Sequence, residues 1–250
     1  MELTIEDVNK SFGDKQVLNN INLQIKPHEI LCILGHSGCG KSTLLNLIAG
    51  FLQTDSGSLK VNDLPIKGPS KSRGVVFQDH ALFPWYNVIT NIAFGLEVQG
   101  TPKEEAKKRA NEYLELVGLQ EYAEHYPDEL SGGMKQRVGI ARALASGPDI
   151  LLMDEPFGAL DILTRDTMRK ELLRICQELK PMVVFVTHSI SEAIHLGDRV
   201  VVMKGGKIAE VFEVGIQHPR MYDHPRFTQL MSDIEQVLMG EEELSQVIRD

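Results

Sequence analysis

The chain has 250 residues, 42% of them hydrophobic and 24% charged, proportions that exclude disorder and fibrous structure. The formal net charge is −9 and no block of Lys or Arg occurs. That balance disfavours a grip on nucleic-acid backbone and direct attachment to an anionic membrane. Cys32, Cys39 and Cys176 lack metal-ligand spacing, so neither a disulfide framework nor a structural zinc site is expected.

The opening segment MELTIEDVNK lacks the basic and apolar regions of a signal peptide. No stretch reaches the ~20 apolar residues of a spanning helix. If the protein works at a membrane, another chain must hold it there.

Short strands are predicted at 3–5, 17–18 and 21–25, the last alternating with period two. Ile30 to Leu34 is a continuous apolar run, as in a strand buried on both faces. A glycine-rich turn leads into a helix over 41–49, stopped before Gly50. Residues 55–74 read as hairpins and loops. A helix is predicted over 102–118 with Pro102 near its first turn, and another over about 131–146. Buried strands at 150–153 and 182–187 flank a helix over 164–179, and a further helix begins at 191–195. A hairpin over 200–211 turns at Gly205-Gly206. Strands alternating with helices imply a parallel sheet with crossovers. The segment from about 79 to 137 reads as a helical subdomain inserted within a single domain. From about 215 to 250 the chain is left to cap the fold or to touch a partner.

Gly35-His36-Ser37-Gly38-Cys39-Gly40-Lys41-Ser42 matches GxxxxGK[ST], between a buried strand and a helix. Glycines let backbone N–H groups cradle phosphate oxygens, and the helix start presents positive potential to the same anion. Lys41 supplies a point charge to the β- and γ-phosphates, and the Ser42 hydroxyl can ligate Mg2+; Thr43 follows it in the first turn. Cys39 sits at this helix start, where a thiol pKa tends to fall; it is either reactive or simply the occupant of a variable position.

Asp154 and Glu155 follow the apolar strand, where a nucleotidase places the acid that organises Mg2+. Glu155 can orient or deprotonate water. The same pair could cap a helix, but the phosphate loop favours chemistry. His188 follows the strand 182–187 and should emerge at the same sheet edge. The remaining histidines, His28, His80, His125, His195, His218 and His224, are read as surface or loop residues.

Leu130-Ser131-Gly132-Gly133-Met134-Lys135-Gln136-Arg137 places paired glycines at a second helix start, another anion site. As LSGGxxQR between the phosphate loop and the acidic strand end, it closely resembles the signature of ABC-type ATPases. The resemblance runs from Leu3 to about Val211. It implies an α/β P-loop core with a mainly parallel sheet, an N-terminal antiparallel β subdomain and an inserted helical subdomain. Gln78 resembles the Q-loop glutamine, with a catalytic and Mg2+-binding role. Gly158-Ala159-Leu160-Asp161 resembles the D-loop and His188 the switch histidine. Phe12 stands where the family stacks an aromatic on adenine.

The resemblance also implies a mechanism. Two copies pack head to tail, each ATP lying between one phosphate loop and the other copy's Ser131-Gly132-Gly133. Closure aligns water, Glu155 and His188 at the γ-phosphate, and hydrolysis reopens the pair. That cycle drives membrane-spanning permease subunits at the cytoplasmic face, with an external solute-binding protein acting indirectly and no nucleic acid involved. The segments Val76 to Trp85 and Met153 to Asp161 resemble importer subunits for nitrate, sulfonates, taurine and related compounds. The alternatives are a soluble ABC-type ATPase not coupled to transport, or an exporter subunit; a metabolic kinase is disfavoured by the signature. Phe83, Trp85 and Tyr86 either fill a small helical core or form a groove for a permease helix.

Overall fold

The computed structural model describes residues 1–79, 81–158 and 160–239. His80, read as a surface or loop residue, Ala159 of the D-loop and the last eleven residues of the tail lie outside them. In chain order the strands are β1 (Leu3–Phe12), β2 (Lys15–Ile25), β3 (Ile30–Leu34), β4 (Ser56–Val61), β5 (Leu64–Pro65), β6 (Arg73–Val76), β7 (Ile150–Asp154), β8 (Met182–Thr187), β9 (Arg199–Lys204) and β10 (Lys207–Glu213). The helices are α1 (Lys41–Ala49), α2 (Val88–Val98), α3 (Lys103–Leu116), α4 (Gly132–Ala145), α5 (Ile162–Leu179), α6 (Ile190–Leu196) and α7 (Pro225–Met239).

The chain forms two compact units: Met1–Pro69 with the segment from Met182 onward, and Ser70–Pro181. In the first, β1 pairs antiparallel with β2 and β4, and β5 extends β4. This is the antiparallel β subdomain implied by the family resemblance. Beside it, β3 runs parallel to both β8 and β9, and β10 returns antiparallel along β9. Every residue of β3 and β8 is buried, as continuous apolar runs require when both faces are covered. The β9–β10 hairpin turns at Gly205 and Gly206, both with positive φ.

Part of the tail now has a place. Phe227, Leu230, Ile234 and Leu238 form one buried stripe on α7, which packs on α6 and the β9–β10 hairpin. Burying each such side chain is worth roughly 1.5–3 kcal/mol. His195 departs from its surface reading. It is buried on α6, 4.4 Å from the Tyr222 ring and 4.8 Å from that of Phe227, with Nδ1 2.9 Å from the Ser191 carbonyl oxygen. The helical period of Ala193, Ile194 and Leu196 carries it inward.

In the second unit β6 runs parallel to β7. Helices α2, α3 and α4 share one apolar core that includes Ile92, Ala106, Ala110, Leu114, Val138 and Ala141. The alanines let α3 approach closely. Pro102 is the N-cap of α3 rather than a first-turn residue, with Glu104 and Glu105 in the first turn as the dipole favours. α2 does not begin until Val88, so the aromatic segment before it is loop.

Candidate functional site

The first unit holds the phosphate loop. Leu34 lies beside Thr187 in the parallel register, so Gly35 and His188 leave the strands at the same carboxyl edge, as the sequence order implied. Gly35 is required by packing. A Cβ there would stand 2.4 Å from the Met203 carbonyl oxygen and 2.7 Å from Cys39 Sγ. Gly40 is required by conformation, with φ at +103°. It is the N-cap of α1, and no side chain caps that helix, so the positive end of its dipole is offered to the loop.

Lys41 is only 5% exposed. Its Nζ donates to the carbonyl oxygens of Gly35 at 2.8 Å and His36 at 3.2 Å. The ammonium is thus folded over the loop, on carbonyls that an anion can displace as the stronger acceptor. His36, Ser37, Gly38 and Ser42 are exposed, and Thr43 is half-buried. Cys39 is buried, and desolvation pushes its thiol up against the lowering influence of Lys41. The helix-start argument for a low thiol pKa is therefore outweighed by burial.

Phe12 closes β1 with its ring 50% exposed, and Lys10 Nζ lies 5.5 Å from the ring centre. Core packing does not account for such a ring. His188 is exposed between β8 and α6.

The second unit holds the other residues. Val76 pairs with Met153, so Gln78 and Asp154 leave the same edge of the β6–β7 pair. Gln78 is exposed, while Asp154 and Glu155 are half-buried. Glu155 has φ at +44°, a left-handed conformation that costs a residue with a side chain about 1–3 kcal/mol. Its carbonyl accepts from the Gly158 N–H at 3.1 Å. A glycine would hold this turn without strain, so the carboxylate is retained at a cost. Ser131 is the N-cap of α4, its Oγ accepting from the Met134 N–H at 3.3 Å, with Gly132 and Gly133 opening the first turn. Asp161 likewise caps α5, accepting from the Leu163 and Thr164 N–H groups at 3.1 and 3.0 Å. Thr164 chiefly holds its carboxyl below the ordinary range. The D-loop aspartate thus has a structural task as well as its expected role.

The sequence profile described as "ABC transporter" matches residues 18–158. The chain belongs to the ABC transporter family. It is an ATP-binding, ATP-hydrolysing member, and its α/β fold is the one expected. Among relatives, the nitrate import ATP-binding protein NrtD of Synechococcus elongatus is 43% identical, over 92% of this chain and 89% of its own length. The taurine import ATP-binding protein TauB of Pseudomonas aeruginosa is 46% identical, over 88% of this chain and 85% of its own length. A dimeric ATP-binding cassette in a post-hydrolysis state, bound to ADP and Pi, superposes with a TM-score of 0.79 at 33% identity. It covers 86% of this chain and 100% of its own.

One residue of this ABC ATPase escaped the sequence reading. Asn91 is fully buried on α2. Its Oδ1 accepts from the Phe83 N–H at 2.8 Å, and its Nδ2 donates to the carbonyls of Phe83, Tyr86 and Asn87. It therefore fixes the aromatic segment. Phe83 packs on Phe94 at 4.7 Å between ring centres, whereas Trp85 is 66% exposed. Phe83 thus packs inward, as the small-core reading of this segment expects, and Trp85 projects outward. A lone Asn among Val88, Ile89, Ile92 and Ala93 was the available signal.

Proposed function

We propose that this chain is the ATPase subunit that energises a membrane importer for a small solute of the nitrate, sulfonate or taurine class. The observation that carries the reading is its similarity, across most of both chains, to subunits named for nitrate and for taurine import. On this reading cargo choice lies in the permease and an external solute-binding protein, which is supported by similar identity to relatives named for different solutes. No helix among the described residues is long and apolar enough to cross a membrane. The permease subunits would hold the chain at the cytoplasmic face, and the exposed Trp85 is the natural contact for them.

The residues divide the work as follows. Phe12 stacks on adenine. The N–H groups of Gly35, His36, Ser37, Gly38, Cys39 and Gly40 and the Lys41 ammonium neutralise the phosphates, and Thr43 extends that contact along α1. The hydroxyl, amide and carboxylate of Ser42, Gln78 and Asp154 are hard oxygen donors suited to Mg2+, which when bound would offset charge on the β- and γ-phosphates. Glu155 accepts the proton of the attacking water, and His188 donates to the γ-phosphate as charge develops. Ser131, Gly132 and Gly133 of one copy, with Asp161, complete the site of a second copy packed head to tail. ATP then favours the closed pair because only that pair supplies both halves of its site.

Affinity purification of the chain from gently solubilised membranes, with bound proteins identified by mass, tests the reading. Recovery of a multi-span partner is the expected result. Recovery only from the soluble fraction, or with ribosomes or DNA, would overturn transport while leaving the ATPase assignment standing.

A further inference from the structure

The loop carrying His188 is anchored by a carboxylate that none of the assigned roles employs. Glu192, in the first turn of α6, is 6% exposed, and Thr187, the last residue of β8, is 2% exposed. Thr187 Oγ1 donates to Glu192 Oε2 at 2.6 Å, a length typical of a charge-assisted O–H···O bond. The same Oγ1 accepts from the Ser189 N–H at 3.0 Å. Ser189 Oγ in turn accepts from the Glu192 N–H at 3.3 Å.

Ser189-Ile190-Ser191-Glu192 has the S-x-x-E spacing of a capping box, in which the glutamate takes the N-cap N–H itself. Here the Thr187 hydroxyl is interposed. Its single proton is committed to Glu192 and one of its two lone pairs to Ser189, so its torsion is set from both sides. Thr187, immediately before His188, is therefore bonded to the buried carboxylate, and Ser189, immediately after it, is bonded to that same hydroxyl and to the Glu192 N–H, while His188 itself stays exposed.

We propose that Glu192 is a positioning residue for His188, acting through Thr187 and Ser189 to fix the loop from which the imidazole reaches the γ-phosphate. The proposal rests on the reading of His188 given above. A helix cap alone would need only Ser189 and would not require the interposed hydroxyl.

The test uses the full-length chain with Thr187→Val, Glu192→Ala, Glu192→Gln and His188→Ala. Turnover at saturating MgATP, ATP affinity and the 13C-histidine NMR cross-peak of His188, assigned from its loss in His188→Ala, are compared. Thr187→Val is nearly isosteric, so the test survives if Glu192→Ala does not fold. Both substitutions should lower turnover about 10- to 100-fold, the scale of a small misplacement of a reacting group. They should leave ATP affinity unchanged and shift or broaden the His188 cross-peak. Glu192→Gln retains an acceptor oxygen and should recover most of the turnover. Wild-type turnover in Thr187→Val overturns the proposal, as does a loss of turnover with the His188 cross-peak unmoved. Wild-type turnover in His188→Ala would instead overturn the reading of His188 itself, a distinct result.

Discussion

Lys41 Nζ lies 2.8 Å from the carbonyl oxygen of Gly35, so the cation of the phosphate loop is bonded to the loop's own first residue. A buried ammonium with two carbonyl partners is aimed before any phosphate arrives, and binding exchanges acceptors instead of ordering a long side chain. Lys41→Met removes a charged contact worth about 1.5–3 kcal/mol, which corresponds to roughly 10- to 100-fold weaker ATP binding. Titration with a fluorescent ATP analogue measures this. Unchanged affinity would place the phosphate elsewhere.

Glu155→Gln should bind ATP normally and hydrolyse it at least ~10²-fold more slowly, the scale of a lost general base. Glu155→Gly should be equally slow but no less stable than the wild type. Relief of the strain at φ +44° offsets the ~0.5–1 kcal/mol entropic cost of glycine. Steady-state phosphate release and thermal melting separate the two effects.

Cys39 should be a slow nucleophile. Burial raises its thiol above the ordinary 9.0, so less thiolate is present at any given pH than for an open thiol. Iodoacetamide at pH 8 should label it more slowly than free cysteine, with a rate still climbing above pH 9. MgATP should slow it further. Mass mapping of Cys32, Cys39 and Cys176 reads this directly, and fast, ATP-insensitive labelling of Cys39 would contradict it.

Asp161 should make stability fall in acid. Its folded-state pKa is depressed, chiefly by Thr164, so its contribution is complete above the unfolded value near 3.8. That contribution is lost as pH drops through the lower folded value. Asp161→Asn keeps an N-cap acceptor without a charge to titrate. Denaturation curves at pH 7 and below pH 4 should show the gap between wild type and variant narrowing in acid.

Arg220 anchors the segment leading to α7. It is buried, with Nε donating to the Ile216 carbonyl at 2.8 Å and Nη1 to those of Ile194 and Gly197 at 2.6 Å each. Arg220→Met leaves those acceptors without their donor, at about 1–3 kcal/mol for each that water does not reach. A total loss of about 3 kcal/mol is expected in urea denaturation, with no change in ATP affinity.

Much of this protein is local in character, and the amino-acid order determined it. Residues that meet a phosphate must be contiguous, because neighbouring N–H groups make the cradle. The loop from Gly35 to Ser42 and the signature at Ser131 therefore stand out as strings, as does the acidic pair at the strand end after Met153, and their roles are proposed from them. The strands β3, β7 and β8 were readable for the same reason, since burial on both faces leaves an unbroken apolar run. Contacts between distant stretches were decided only by the tertiary structure. Burial of Cys39 reverses the pKa expected from its helix position. Asn91 joins a helix to a loop eight residues away, and Arg220 reaches carbonyls more than twenty residues upstream. The left-handed backbone of Glu155 follows from the turn it closes, which no residue type announces. Spacing along the chain sets which groups can act together locally, whereas desolvation and long-range hydrogen bonds exist only once the chain has folded.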